Sequence, residues 1–207
     1  PPLFYILTRE WTLIVGRSDA AIMALPVLIG TSIVAAIYFV GRSLFSKPAA
    51  LLAAGLAAVS PGLIEHSAQL RPYGLLPLLV LASCYYMVVA LERGRLTEWM
   101  FYVLATVSLL YTHHWGWLIA LGQQVAIVFL LFGTLRPRWR SKIKSWTAAW
   151  LVIMVVYLPW MSTLFFQVEH AGHPPVVADG FGAALGFAVV SGIRIVQTLF
   201  VGNPTGM

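Results

Sequence analysis

The chain has 207 residues, of which 60% are hydrophobic and 10% are charged, and its mean hydropathy is +0.86. This composition excludes a soluble globular domain and predicts an all-α, polytopic transmembrane helical bundle. The formal net charge of +6 accompanies no basic helix interleaved with aromatic residues, which argues against a nucleic-acid partner. Cys84 is the only cysteine, so a disulfide or a thiolate-rich metal site within the chain is excluded.

The chain opens with PPLFYILTREWTLIVG, which is too short and, at Arg9 and Glu10, too polar to span a bilayer. Tyr5 and Trp11 are residue types that anchor helices at the membrane surface, so this segment predicts an interfacial helix on the outer face. Because the first residue is Pro1 rather than Met, and the chain stops without a polar tail, we expect a fragment of a longer protein.

A spanning helix needs about 20 mostly apolar residues, and four runs meet that length. They are residues 20–40, 73–91, 115–132 and 146–165. Two shorter runs, 49–64 and 99–110, are expected to cross as well. A run at 181–201 carries Arg194 and several glycines, so it either spans or lies in the interface. The sequence therefore predicts six crossings, or seven if the last run spans.

Residues 1–207 are expected to form one transmembrane domain. It comprises an outer interfacial segment at 1–19, a helical bundle at 20–165, and an outer loop plus the last helix at 166–207. Four glycines inside apolar runs are expected to be points of close helix packing. They are Gly30, Gly41, Gly55 and Gly122.

The basic residues fall mostly in alternate loops, which sets the expected orientation because such loops face the cytoplasm. The loops on that side carry Arg42, Lys47, Arg93, Arg95, Arg136, Arg138, Arg140, Lys142 and Lys144. The outer side receives Arg9, Arg17, Arg71, Arg194, Glu10, Asp19, Glu65, Glu169, Asp179, His66, His113, His114, His170 and His173. Groups that transfer protons or bind ligands are therefore concentrated on the outer face.

The most polar stretch within the apolar region is SPGLIEHSAQLRPYGLL, at residues 60–76. Membranes tolerate such a cluster where it has a function or faces water. The two short runs, one before this stretch and one before the turn at 111–114, cover roughly 24 Å and 18 Å against a core of ~30 Å. Their polar outer ends should therefore lie below the membrane rim, in a protein-lined recess that could admit the head group of a lipid.

The order of these elements resembles a known family. The chain shows PPLFY, a G-x-S-x-x-A step from Gly16, the inner turn GRSLFSKPAALLAA, SP followed by S-x-x-x-RPY, then YTHHWG and later LPW. This pattern, from Pro1 to about Gln167, resembles the C-type integral-membrane glycosyltransferases, the group with the protein O-mannosyltransferases and the lipid A aminoarabinose transferases. The resemblance implies a polyprenyl-phosphate sugar donor and a site on the non-cytoplasmic face, here of the bacterial inner (plasma) membrane.

The resemblance also implies roles for single residues. The arginine of RPY is Arg71, whose guanidinium would bind the departing lipid phosphate, with Tyr73 lining the pocket. Alternatively, Arg71 pairs with Glu65 or extends to the membrane rim. His113 and His114 would hydrogen-bond the phosphate or bind a divalent cation, although adjacent histidines lack metal-site spacing and could instead cap a helix. No metal site or cofactor is assigned.

The carboxylates depart from the family pattern. The family supplies an Asp or an Asp-Glu pair before the PPL step, and this chain begins at that step. The family often has Glu two positions before the RPY arginine, where this chain has Gln69. Glu65 would lie one helical turn earlier on the same face and could accept the proton of the acceptor hydroxyl. Arg9 and Glu10 of the opening segment are further candidates near the site.

The leading functional hypothesis is a membrane glycosyltransferase that transfers a sugar from a polyprenyl-phosphate donor to an extracytoplasmic acceptor. The alternative is a non-catalytic transmembrane subunit, derived from such an enzyme, that packs against partner membrane subunits. A transporter is disfavoured because no inverted repeat is visible, and Arg194 is the one charged residue expected in the middle of a span. Surrounding membrane lipids are expected partners in either case.

Overall fold

The computed structural model describes the backbone of residues 2–132 and 139–170, with the side chains of 130–140 and 164–170 left undescribed. Within these ranges the chain is helical and contains no β-strand. The helices are α1 (Leu3–Val15), α2 (Asp19–Leu44), α3 (Lys47–Ala58), α4 (Pro61–Ser67), α5 (Leu75–Arg93), α6 (Leu96–Thr112), α7 (Gly116–Phe132) and α8 (Trp139–His170). The prediction of an all-α protein is confirmed for these residues.

Local sequence explains where several helices begin and end. The hydroxyl of Ser18 accepts a hydrogen bond from the Ala21 amide (3.2 Å) at the start of α2, and Ser46 does the same for the Ala49 amide (3.4 Å) at the start of α3. α5 ends at Gly94, whose φ of 73° is the left-handed conformation that terminates helices. Side-chain oxygens and one glycine thus satisfy helix ends that would otherwise leave backbone groups unpaired.

Three of the described helices are long and apolar enough to cross a membrane. They lie at Asp19–Leu44, Leu75–Arg93 and Ser141–Thr163, and they contain most of the predicted runs 20–40, 73–91 and 146–165. The predicted run 49–64 is not one straight helix. It breaks into α3 and α4, which bend by 61°, and it becomes a fourth candidate span if the pair is counted as one. The break follows from Pro61, which disfavours the helical conformation at Ser60 and lacks an amide proton.

The remaining predicted elements differ in length from the structure. α6 has 17 residues and extends the predicted run 99–110 at both ends. α8 continues to His170, past residue 166, where the sequence predicted the outer loop to begin. The predicted run 181–201 and the rest of 171–207 lie outside the described residues.

The helices α5 to α8 share one hydrophobic core. Its fully buried members include Leu91, Tyr102, Leu110, Ile127 and Ile153. A smaller core forms where Phe4 of α1 packs with Ile29 of α2 and Leu75 of α5. Other large apolar side chains point outward: Phe39, Leu52, Phe129, Val155 and Leu158 are each more than 60% exposed. Such an apolar exterior around a packed interior is what a lipid environment requires.

Polar side chains also join α5, α6 and α7 inside the bundle. Ser83 and Thr106 share a hydroxyl hydrogen bond of 2.8 Å, and the Gln123 amide donates to Ser83 Oγ at 2.9 Å. The Tyr102 hydroxyl donates to Gln123 Oε1 at 3.4 Å. Because these side chains are buried, they hydrogen-bond to one another, and the contacts fix how the three helices pack.

The two ends of the bundle carry different chemistry. Lys142 Nζ donates to the Glu92 carbonyl at 3.4 Å, so the start of α8 and the end of α5 lie together. The Ser43 and Tyr85 hydroxyls lie 3.4 Å apart, which brings the end of α2 to that half of α5. Arg42, Arg93 and Lys142 therefore share one end of the bundle. Arg71 precedes α5, and a helix of 19 residues separates it from Arg93 by roughly 28 Å.

Glycines permit two of the close helix contacts. A Cβ at Gly30 of α2 would overlap the Cβ of Ser67 at the end of α4, and one at Gly41 would lie 3.1 Å from the Cβ of Ala50 in α3. The predicted packing role is confirmed at both positions. Among the described residues, a Cβ at Gly55 or Gly122 would meet nothing within 4 Å, so the same prediction is not supported there. Both glycines lie on faces that no described helix covers.

Candidate functional site

The connection between α4 and α5 presents the RPY motif at the end of the bundle opposite Arg93. The Arg71 amide donates to the Gln69 carbonyl at 2.8 Å, which makes a tight turn, and the Pro72 carbonyl accepts from the Leu75 amide at 3.2 Å. Gly74 is buried against the His66 carbonyl, where a Cβ would approach to 3.2 Å. These contacts hold the segment close to α4 while the side chain of Arg71 remains exposed.

Four aromatic rings form a row across this end of the bundle. The ring of Tyr73 lies between those of His66 and His113, with centroid separations of 5.7 Å and 5.5 Å. His114 continues the row at 6.2 Å from His113. The structure thus brings together two motifs, RPY and YTHHWG, that are 40 positions apart in sequence. We call His66, Tyr73, His113 and His114 the ring row.

His66 is the member of the ring row to which sequence reasoning gave no role. Its Nδ1 atom is buried and has no hydrogen-bond partner among the described residues. The one feature of the sequence that pointed to a role for His66 was its position beside Glu65 in the polar stretch at residues 60–76. Without the bend between α3 and α4, however, the sequence does not show that His66 turns toward Tyr73.

The turn between α6 and α7 determines how His113 is protonated. The Trp115 amide donates to His113 Nδ1 at 3.1 Å, so that nitrogen is an acceptor and the proton of the neutral ring lies on Nε2. Burial lowers the pKa of His113 from its usual 6.5, and the neighbouring His114 lowers it further. Gly116 permits this turn because a Cβ there would lie 2.9 Å from the Leu109 carbonyl.

Glu65 interacts with Gln69 and not with Arg71. The Gln69 Nε2 group donates to Glu65 Oε1 at 3.3 Å, and both side chains are half-buried on the same side of α4 and the turn that follows. Among the described residues, the ion pair that forms joins Arg93 to Glu98 at 3.9 Å. In the described part of the chain Arg71 forms no ion pair with Glu65, and its side chain is exposed.

The opening helix α1 packs against α2 and α6 near the same end. The indole Nε1 of Trp11 donates to the Ala21 carbonyl at 2.7 Å and ties α1 to the start of α2. Arg9 and Glu10 are exposed on α1. Within the described part of the chain, neither side chain has a hydrogen bond or an ion pair with the ring row.

The described residues of this region do not form a set of ligands for a divalent cation. Among the described residues, no three His, Cys, Asp or Glu side chains lie close enough together to hold a metal ion. His113 and His114 are adjacent in the chain, and Glu65 is bonded to Gln69. The residues present therefore fit a phosphate better than a metal, since they supply a guanidinium and ring N–H donors.

Comparison with known proteins agrees with the motifs. The model of a family described as dolichyl-phosphate-mannose-protein mannosyltransferase matches residues 1–162. No curated protein and no solved structure matches the chain. The match covers α1 to α7 and most of α8, including the polar stretch and the ring row. The predicted resemblance to the C-type membrane glycosyltransferases is thereby confirmed.

Proposed function

This chain belongs to the dolichyl-phosphate-mannose-protein mannosyltransferase family of membrane glycosyltransferases, and we propose that it transfers a sugar from a polyprenyl-phosphate donor to an acceptor outside the cytoplasm. The observation that carries the proposal is the ring row, whose Tyr73 lies two residues after Arg71, an exposed arginine without an ion pair among the described residues. In the proposal, Arg71 and the ring row provide positive charge and hydrogen-bond donors at one end of an apolar bundle. A lipid-linked phosphate has the same combination of an anionic head and an apolar tail.

In this proposal the acceptor hydroxyl attacks the anomeric carbon of the sugar, and the bond from that carbon to the phosphate oxygen breaks. The polyprenyl phosphate leaves with the electron pair. Arg71 stabilises the growing negative charge by donating two N–H hydrogen bonds to the phosphate, and His113 donates from Nε2. His114 offers a further contact, and Tyr73 separates the two phosphate-binding histidines from His66 and lines the pocket.

The proton of the acceptor hydroxyl passes to Glu65. The amide of Gln69 holds one oxygen of this carboxylate at 3.3 Å, so the other can accept. Gln69 cannot ionise, so its role is to position Glu65. Arg9 and Glu10 of α1 are proposed to contribute charge from the rim of the site.

We propose that the domain spans the membrane six or seven times. The family and the apolar helices support an integral membrane protein, and the three or four candidate spans of the described residues are part of this count. The shorter α6 and α7 would supply two more crossings. The basic end would face the cytoplasm of a bacterial inner membrane, with α1 in the outer interface and Arg71 on the non-cytoplasmic side.

The test is sugar transfer by the purified full-length protein from a panel of polyprenyl-phosphate sugars. Arg71→Ala should lower kcat by about 10²–10³, as expected for the loss of one charge-stabilising donor. Arg17→Ala is the matched control, because Arg17 is an exposed arginine near the same end and outside the site. Equal rates for Arg71→Ala and the wild type would refute the mechanism, and no transfer from any donor would favour a non-catalytic subunit.

A further inference from the structure

A groove of about 570 Å³ runs between α6 and α8, away from the ring row. From α6 it is lined by Trp99, Val103 and Val107, and from α8 by Ser145, Ala149 and Val156. Except for Ser145 and the backbone at Gly94, its walls are apolar. An open apolar groove on the side of a membrane bundle is filled by a hydrocarbon chain. The length of the groove and the charge at its mouth indicate which molecule provides this chain.

The length of the groove matches one leaflet. From Leu96 to Val107 along α6, and from Ser145 to Val156 along α8, the lining extends over 11 residue steps, or roughly 16 Å. Half of a ~30 Å hydrocarbon core is ~15 Å. The groove therefore begins at the basic end of the bundle and reaches about the middle of the membrane.

Basic residues lie near the mouth of the groove. Lys142 precedes Ser145 by one helical turn, and its Nζ lies beside Gly94, which itself lines the groove. Arg95 lies between the lining residues Gly94 and Leu96, and Lys144 directly precedes Ser145. The carboxylate of Glu98 forms an ion pair with Arg93 at 3.9 Å, so it does not neutralise the charges of Arg95, Lys142 and Lys144. The mouth is thus cationic where an anionic lipid head group would lie.

We propose that this groove binds one acyl chain of an anionic diacylphospholipid from the leaflet on the basic side, with its phosphate at Arg95 and Lys142. The charge at the mouth favours an anionic over a zwitterionic lipid by about fivefold for each basic residue. The lipid tail of the sugar donor is the less suitable occupant, because its phosphate would bind at the opposite end of the bundle. The proposal does not depend on the transfer reaction.

Native mass spectrometry of the full-length protein tests the proposal, with dioleoyl phosphatidylglycerol and dioleoyl phosphatidylcholine as the added lipids. The wild type should retain phosphatidylglycerol preferentially. Arg95→Gln and Lys142→Gln should each reduce that retention about fivefold. Arg42→Gln is the control, since Arg42 is an exposed basic residue at the same end on α2.

A second pair of variants tests the groove itself. Ala148 is exposed and lines the groove, so Ala148→Trp should fill it and reduce lipid retention at least as much as Arg95→Gln. Leu151→Trp adds an indole to an α8 residue that is 62% exposed and does not line the groove, and it should change nothing. A phosphatidylglycerol with a photoreactive acyl chain should label residues 99–107 and 145–156.

Any of four outcomes would overturn the assignment. Three of them are equal retention of the two lipids, labelling confined to other helices, and displacement of phosphatidylglycerol from the groove by decaprenyl phosphate at equal concentration. The last would assign the groove to the tail of the donor. Unchanged retention in Ala148→Trp, with folding verified by thermal unfolding, would show that the lipid binds elsewhere.

Discussion

The backbone amide of Trp115 donates a hydrogen bond to Nδ1 of His113 at 3.1 Å. This contact sets the histidine ring in one tautomer, with its remaining N–H at Nε2. Burial lowers the pKa of His113 from 6.5, so near neutral pH the ring is an uncharged donor. The turn after α6 thus presents one directed N–H group beside Tyr73.

Substitution of His113 tests this donor role. His113→Phe keeps an aromatic ring beside Tyr73 but removes the N–H group, and it should lower kcat for sugar transfer by about 10²-fold. His113→Gln keeps an N–H donor and should retain more activity than His113→Phe. Equal activity of the two variants would show that the packing of residue 113 against Tyr73, and not a hydrogen bond, determines the rate of transfer.

The lowered pKa of His113 predicts a dependence of stability on pH. Between the pKa of the folded state and 6.5, the unfolded chain binds more protons than the folded one, so stability rises with pH in this window. The contribution is complete above pH 6.5 and is lost as the pH falls through the pKa of the folded state. Thermal unfolding in detergent from pH 7.5 to 5.5 should therefore show a steeper loss for wild type than for His113→Gln. Parallel curves would contradict the assignment.

The sequence predicted the parts of this molecule that depend on composition and local pattern. Most of each of the apolar runs at 20–40, 73–91 and 146–165 lies in a long helix because burial in lipid demands continuous internal hydrogen bonding. The clustering of Arg42, Arg93 and Lys142 at one end followed from the alternation of basic loops. The motif order predicted the family, and the family model confirms it.

Contacts between segments that are distant in the sequence could not be predicted from composition or local pattern. The 61° bend at Ser60 depends on Pro61 and on how α4 packs against α2. Because this packing is not visible in the local sequence, the run 49–64 was predicted as one straight helix. The bend places His66 against Tyr73, and this is why His66 had no assigned role. Whether Glu65 bonded to Gln69 or to Arg71 was likewise a matter of three-dimensional position.

Glu65 and Gln69 provide a test of the proton acceptor. Glu65→Gln should lower kcat by about 10²–10⁴-fold, because the carboxamide cannot accept the proton of the hydroxyl. Gln69→Glu would place a second carboxylate about 3.3 Å from Glu65 in place of the donated hydrogen bond, which would raise the pKa of one of the two. The pH optimum for transfer should then move upward.

The pH profile of kcat for wild type and Gln69→Glu measures this shift. Glu92→Gln is the control, because Glu92 is an exposed acid near the end of α5, at the end of the bundle opposite the site. An active Glu65→Gln variant with an unchanged profile would remove Glu65 from the mechanism.

The contact between Gly30 and Ser67 predicts that the position of α4, and with it the site, depends on a glycine in α2. A Cβ at Gly30 would overlap the Cβ of Ser67, so Gly30→Ala must displace α4, which carries Glu65 and His66. We expect a loss of about 1–3 kcal/mol in stability, typical of overpacking, together with reduced transfer. Gly55→Ala in α3 meets nothing within 4 Å and should be neutral or stabilising by up to about 1 kcal/mol. Ser67→Gly should restore stability and activity to Gly30→Ala, and additive losses in that double variant would show that the two residues do not interact.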